Sequence, residues 1–229
     1  MSGPLIDVRN LTFRYPDGTQ ALRDVSFVLR PSETVAIFGA NGSGKTTFLN
    51  HLVGLLAGDG HVAVCGMAVN KSNLPAIRQR VGMLFQDPDD QIFMPTIEQD
   101  VAFGPLNMGL DPAAVKERVD RCLALVGLNG QRSKPPHHLS AGERRRAALA
   151  GILATEPEIL LLDEPATFLD PPARKALVST LQSLAQAKIV VTHEVPLARA
   201  LADRAVFFAE GRIVAEGSVI ELADRFDWR

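Results

Sequence analysis

Gly39-Ala-Asn-Gly-Ser-Gly-Lys-Thr46 has the spacing of a phosphate-binding loop: a glycine, four residues, then Gly-Lys-Thr. Gly42 and Gly44 lack a Cβ and can take φ > 0, so the backbone can curl and aim its amides at one anion. Lys45 is the side chain to reach the β- and γ-phosphates of a nucleotide, and the Thr46 hydroxyl is the one to ligate Mg²⁺. A strand-like run, Thr34-Val-Ala-Ile-Phe38, enters the loop. Thr47-Phe-Leu-Asn-His-Leu-Val53 leaves it with helical apolar spacing, so a positive helix end adds to the attraction. A mere glycine turn with a solvated lysine would not require that frame.

Far downstream, Asp163-Glu164 ends the apolar run Glu158-Ile-Leu-Leu-Leu-Leu-Asp163. In open α/β sheets ligands bind at the carboxyl ends of strands. Asp163 could hold Mg²⁺ through water and Glu164 could polarise an attacking water; alone, the pair could equally cap the next turn. In Leu139-Ser-Ala-Gly-Glu143, Ser140 and Glu143 have the spacing of a capping box, which is complete without any ligand. The Arg144-Arg-Arg146 triplet that follows reads as a solvated helix face rather than a nucleic-acid site. Tyr15, the only tyrosine, is either strand packing or a platform for a nucleotide base, and His193 either a core histidine or a site residue.

The elements that must position these groups come from a chain of 229 residues, enough for one large α/β domain. A net charge of −2 and a pI near 6.2 give no global attraction to nucleic acid. Cys65 and Cys122 lack metal-ligand spacing and read as buried thiols in a reducing compartment. The first residues do not form a secretory signal, and no apolar run approaches the ~20 residues that span a bilayer. The expectation is a cytoplasmic chain that does not cross a membrane itself.

In chain order, Leu5 to Tyr15 and Gln20 to Arg30 read as paired strands around the turn Pro16-Asp-Gly-Thr19. Val62–Cys65 and Val81–Phe85 are further strands. From Gln86 the sequence turns polar, then helical. Asp111-Pro112 starts a helix whose apolar face is Val115, Val119, Cys122, Leu123 and Val126, and Gly127 stops it. The core resumes with the acidic strand, a helix from about Pro171 to Ala187, a buried strand Lys188–Thr192 ending at His193, a hairpin turning at Glu210-Gly211, and a short helix from Ser218.

Taken together, these motifs resemble the ATP-binding-cassette (ABC) ATPases over essentially the whole chain. The resemblance implies an α/β fold: a phosphate-loop (RecA-like) core with an antiparallel β layer and an inserted α-helical lobe. One domain would span 1–229, with core at 1–85 and 150–229 and lobe at 86–149. Gly39, Ala40, Asn41, Gly42, Ser43, Gly44, Lys45, Thr46 and Thr47 match the family's Walker A loop and its continuation, and Ile159–Asp163 its Walker B strand. Glu164 matches the catalytic glutamate, His193 the switch histidine, and Tyr15 the aromatic that stacks on adenine. Gln86 matches the glutamine that senses Mg²⁺ and the attacking water. Leu169-Asp170 match the D-loop, and Ser140, Ala141, Gly142 and Glu143 match the signature, which in that family completes the partner's ATP site in a dimer. The chain departs from the family at Ala40, Ala141, Glu143, Phe168 and Glu194.

Other phosphate-loop classes fit less well. Asn70-Lys-Ser-Asn73 lacks the aspartate of a guanine reader, and no sustained heptads separate loop from acidic strand. Phe85 to Pro105 and Pro136 to Glu143 are similar to the ATPases of energy-coupling-factor importers, especially the cobalt and nickel type. That similarity implies ATP and Mg²⁺ as cofactors and a homodimer at the cytoplasmic face of the membrane. It implies two further partners, a transmembrane coupling subunit and a substrate-capture membrane subunit, and no nucleic acid. Cobalt is the expected cargo, with nickel and biotin as alternatives.

Overall fold

The computed structural model describes residues 3–228 and, at Pro88, the backbone alone. Three strands open the chain: β1 (Ile6–Arg14), β2 (Gln20–Leu29) and β3 (Thr34–Gly39). Along β2, Leu22, Val25, Phe27 and Leu29 are buried and their neighbours are not, the two-residue period of a half-buried strand. β3 is buried at every position, as parallel strands covered on both faces must be. After it come α1 (Lys45–Leu52), β4 (Asp59–Val64), β5 (Met67–Ala68), α2 (Leu74–Arg80) and β6 (Val81–Leu84). Helices α3 (Ile97–Asn107), α4 (Pro112–Leu125) and α5 (Ala141–Ala154) follow. The chain closes with β7 (Ile159–Asp163), α6 (Pro171–Ser183), β8 (Ala187–Val191), α7 (Val195–Leu201), β9 (Arg204–Ala209), β10 (Arg212–Gly217) and α8 (Val219–Arg225).

Two sheets result. An antiparallel sheet has the order β2-β1-β4-β5, and a six-stranded one the order β10-β9-β3-β8-β7-β6. The second is parallel from β9 to β6, with β10 antiparallel at its edge. Phe48, Leu49 and Leu52 of α1 fill the space between the sheets against Phe27, Val35 and Ile37. On the other side, Leu160 and Leu162 pack with Val101, Val119 and Leu149 of the helical region.

The expected start of α4 is present: the Asp111 carboxylate accepts from the amides of Ala113 and Ala114, both at 3.0 Å, and Pro112 is the first helical residue. Three expectations need correction. α6 stops at Ser183 instead of Ala187, because Ala187 donates to Glu158 O and Lys188 to Glu33 O, and sheet pairing claims both residues. The helical stretch does not end at residue 149: α5 continues to Ala154, and its buried face joins lobe and sheet in one apolar cluster. Cys65 is half-buried, at φ 50°, while Cys122 is buried. Helices α2 and α7 have seven residues each, too few to show a period in the sequence.

Candidate active site

Strand β3 delivers the chain to the phosphate loop, and the loop's shape depends on residues without side chains. A Cβ on Gly39 would lie 2.2 Å from Phe208 O, and one on Gly44 2.6 Å from Ala21 O. Gly44, at φ 106°, is the N-cap of α1 and no side chain caps that helix, so its first amides remain open to an anion. Lys45 lies back over the loop, donating to Gly39 O at 2.7 Å and Ala40 O at 2.9 Å. Its burial lowers its pKa, against the opposing pull of Glu164 and Asp163. Those two carbonyls hold the ammonium beside the space where a phosphate would sit.

Strand β7 brings the acidic pair to the same place. The Thr46 hydroxyl donates to Asp163 Oδ2 at 2.7 Å, joining loop and strand. Asp163 is 1% exposed, and burial pushes its pKa up, with Thr46 opposing. Glu164 follows at φ 48°, a conformation costly for a non-glycine residue, held by its amide bond to Val191 O at 2.9 Å. Its carboxylate Oε2 is 2.9 Å from Nδ1 of His193, which β8 presents from the adjacent strand. A cavity of about 550 Å³ is lined by Tyr15, Asn41, Gly42, Gly44, Lys45, Thr46, Thr47, Gln86, Asp163, Glu164 and His193, with Thr19, Gln20, Ala21 and Thr167. The Tyr15 hydroxyl is 3.1 Å from Thr47 Oγ1, so this ring is tied to the phosphate-loop helix by its polar end as well.

The cavity does not gather every residue expected in the site. Ser140, Ala141, Gly142, Glu143 and Asp170 are absent from its lining. Ser140 and Glu143 form the expected reciprocal box: Glu143 N donates to Ser140 Oγ at 3.2 Å and Ser140 N to Glu143 Oε2 at 2.8 Å. That amide bond holds the Glu143 carboxyl below its usual pKa. Asp170 caps α6 through Ala173 N at 2.8 Å. The two loops adjoin each other, since a Cβ on Gly142 would be 3.2 Å from Leu169 Cδ2. Ala40 is exposed; Ser43 is buried, its hydroxyl 2.8 Å from where a Gly39 Cβ would stand.

Arg145 departs from the expected solvated face. Arg145 is 1% exposed, not solvated. Its guanidinium donates to Phe85 O and Glu164 O, each at 2.5 Å, clamping the ends of β6 and β7 from below. Burial lowers its pKa, opposed by Asp163, Glu164 and Asp87. Arg144 pairs with Asp89 at 2.8 Å and Arg146 donates to Val126 O at 3.2 Å. The one hint in the sequence is the apolar run Ala147-Ala-Leu-Ala150 directly after the triplet, which marks this helix as buried on more than one side.

An open helix end, a lysine, a hydroxyl–carboxylate pair and a second carboxylate in one cavity form a nucleoside-triphosphate site. The family model for ABC transporters matches residues 22–167. The chain belongs to the ABC transporter family. Its sequence is 46% identical over 224 residues to an energy-coupling factor transporter ATP-binding protein, EcfA, of Carboxydothermus hydrogenoformans, covering 96% of this chain and 83% of that one. The solved structure of cbiO1 from Clostridium perfringens, part of the cbiONQ transporter complex, superimposes with a TM-score of 0.86 at 33% identity, covering 98% of this chain and 92% of that one. A dimeric ATP-binding cassette bound to ADP and Pi matches with a TM-score of 0.86 at 27% identity, covering 93% of this chain and 98% of that one. This is an ATP-hydrolysing subunit of the energy-coupling-factor type, built on the expected phosphate-loop core with a helical lobe. Among the described residues no helix is long and apolar enough to cross a membrane.

Proposed function

We propose that this chain drives an importer of cobalt ions by hydrolysing ATP between two copies of itself. The carrying observation is the split just described. One cavity holds Lys45, Thr46, Asp163, Glu164 and His193, while Ser140 to Glu143 and Asp170 stand outside it. Each ATP would lie on the phosphate loop of one copy and be completed by the signature and Asp170 of the other. Residues 1–229 would act as one ABC domain, with a helical lobe that begins at 86 and whose last helix runs to Ala154.

Within a site, the open amides of α1 and Lys45 bind the β- and γ-phosphates, and Tyr15 offers its ring to the base. The hydroxyl of Thr46 and the carboxylate of Asp163, 2.7 Å apart, are a hard-oxygen donor set that suits Mg²⁺, with Gln86 on the same cavity wall. Mg²⁺ held there would neutralise phosphate charge. Glu164 accepts a proton from water as the water oxygen bonds the γ-phosphorus and the bond to ADP breaks. His193 orients the Glu164 carboxylate through its 2.9 Å contact.

The readout to the membrane would run through the segment after Gln86. Phe93 and Phe103 are 64% and 41% exposed and pack edge to face at 4.8 Å, an apolar patch suited to a membrane-subunit helix. Asp89 is already engaged by Arg144, so Asp90 is the acidic residue to reverse in testing this surface. The reading places the chain at the cytoplasmic face, peripheral to a transmembrane coupling subunit and a substrate-capture subunit. The test is uptake. Vesicles carrying the chain with its membrane partners should accumulate Co²⁺ on ATP addition, and Lys45→Ala should abolish it. Uptake of Ni²⁺ or biotin alone would replace the cargo, and export of a hydrophobic compound would reverse the direction.

A further inference from the structure

Among the described residues, Arg145 is the largest side chain to be fully buried. Its Nε has no hydrogen-bond partner, so the fold carries an unsatisfied donor together with a desolvated charge. An apolar side chain would fill this part of the core at lower cost. What the guanidinium contributes must therefore lie in its other two nitrogens. Nη1 donates to Phe85 O, one residue before Gln86, and Nη2 donates to Glu164 O. Gln86 and Glu164 reach the ATP cavity from two separate strands, and the planar fork of Arg145 joins their main chains.

Glu164 has a particular need of such a hold. Its φ of 48° is costly, and a conformation of that kind persists only where the surroundings over-determine it. From the sheet, Val191 O accepts the Glu164 amide at 2.9 Å. From the lobe, Arg145 reaches Glu164 O, which also accepts the Thr167 amide at 3.2 Å. Both polar groups of this peptide are thus held while the side chain runs to His193. Rotation of the peptide would swing the carboxylate away from the attacking water. Helix α5 carries the fork, about one turn beyond its N-cap Ser140.

We infer that Arg145 is a positioning residue for hydrolysis: through the two main-chain carbonyls, the lobe helix sets Glu164, and beside it Gln86, at the angle the reaction needs. The inference rests on the reading of Glu164 as proton acceptor, and it is independent of the cargo.

The test is a double-mutant cycle on ATP turnover by the full chain. Arg145→Met keeps bulk and removes the donors. Its kcat should fall about 10–100-fold, the order of loss when a reacting group is misplaced by about 1 Å. KM for ATP should stay within about twofold, because Lys45, Tyr15 and the open end of α1 are untouched. Arg145→Gln returns one donor group and should recover about 3–10-fold of kcat, the worth of one ordinary hydrogen bond. In a Glu164→Gln background, followed in single-turnover assays, either change should cost less than about twofold more, since the group it aims is already gone. Three results would overturn the inference: parent-like kcat in both variants, a rise in KM as large as the fall in kcat, or an undiminished loss in the Glu164→Gln background. Should Arg145→Met fail to fold, Arg145→Gln carries the same cycle. Glu164→Gln alone separates the two failures. If it keeps full turnover, the proton-acceptor reading falls and the inference with it; if it loses turnover and the second change still adds in full, only the inference falls.

Discussion

The phosphate loop and the signature each lead into a helix, yet the two helix ends are finished in opposite ways. At α1 the N-cap is Gly44, and no side chain takes up the free amides. At α5 the N-cap is Ser140, and the reciprocal bonds with Glu143 close the end within the chain itself. An open end pays for its unsatisfied donors until an anion arrives, while a closed end is stable alone. A helix N-terminus is therefore not a site by position alone. The first end is surrounded by Lys45, Asp163 and Glu164, and the second lies outside that cavity.

The largest effect is expected at the catalytic carboxylate. Glu164→Gln should cut ATP turnover by about 10²–10⁴-fold, the usual value of a positioned proton acceptor, while ATP binding survives. Sizing chromatography of that variant with ATP should show an accumulated dimer. Equal turnover by variant and parent would remove Glu164 from the role. Next comes the relation between the two helix ends. Lys45→Ala and Ser140→Arg should each be inactive alone, but a mixture should regain turnover, because one mixed site carries both intact halves. No recovery on mixing would mean that the signature does not complete a partner's site.

Smaller effects sharpen the picture of the open end. Tyr15→Ala should weaken ATP binding by about 1–2 kcal/mol through lost base stacking. Tyr15→Phe keeps the ring but loses the 3.1 Å contact with Thr47 Oγ1, so calorimetry should show a smaller deficit. A larger loss in Phe than in Ala would rule out the stacking role. The smallest effect is on stability. The folded pKa of Asp163 lies above its ordinary value of 3.8, so the folded chain holds that proton more tightly than the unfolded one. Its contribution favours folding most at acidic pH and declines as pH rises through the interval above 3.8. Asp163→Asn should therefore raise the melting temperature of the nucleotide-free chain near neutrality and flatten that decline. A melting temperature no higher than the parent's would show that burial of the charge costs the fold nothing.

Elements with a local signal are legible in the sequence. Asp111-Pro112 announces α4, and Glu210-Gly211, at φ 48° and 77°, turns the β9–β10 hairpin as expected. Ser140 and Glu143 specify their own cap. Elements decided by pairing were less legible. The Ala-rich stretch after Ser183 has helical propensity, but β8 is drawn into the sheet from Ala187 by its neighbours β3 and β7. The burial of Arg145 is illegible locally for a related reason: its partners are Phe85 O and Glu164 O, both distant in sequence.

The chemistry available is legible in residue types alone: glycines that permit the loop, a lysine and hydroxyl after it, two carboxylates after an apolar strand, and a self-capping serine. These follow from residue type and near-neighbour spacing, where bonds span only a few positions. Which of them meet depends on long-range packing. The parallel pairing of β3, β8 and β7 sets Thr46 against Asp163 and Glu164 against His193, and it leaves Ser140 outside. Strand order in a sheet is fixed by how the apolar faces of distant segments pack, and no local spacing encodes it.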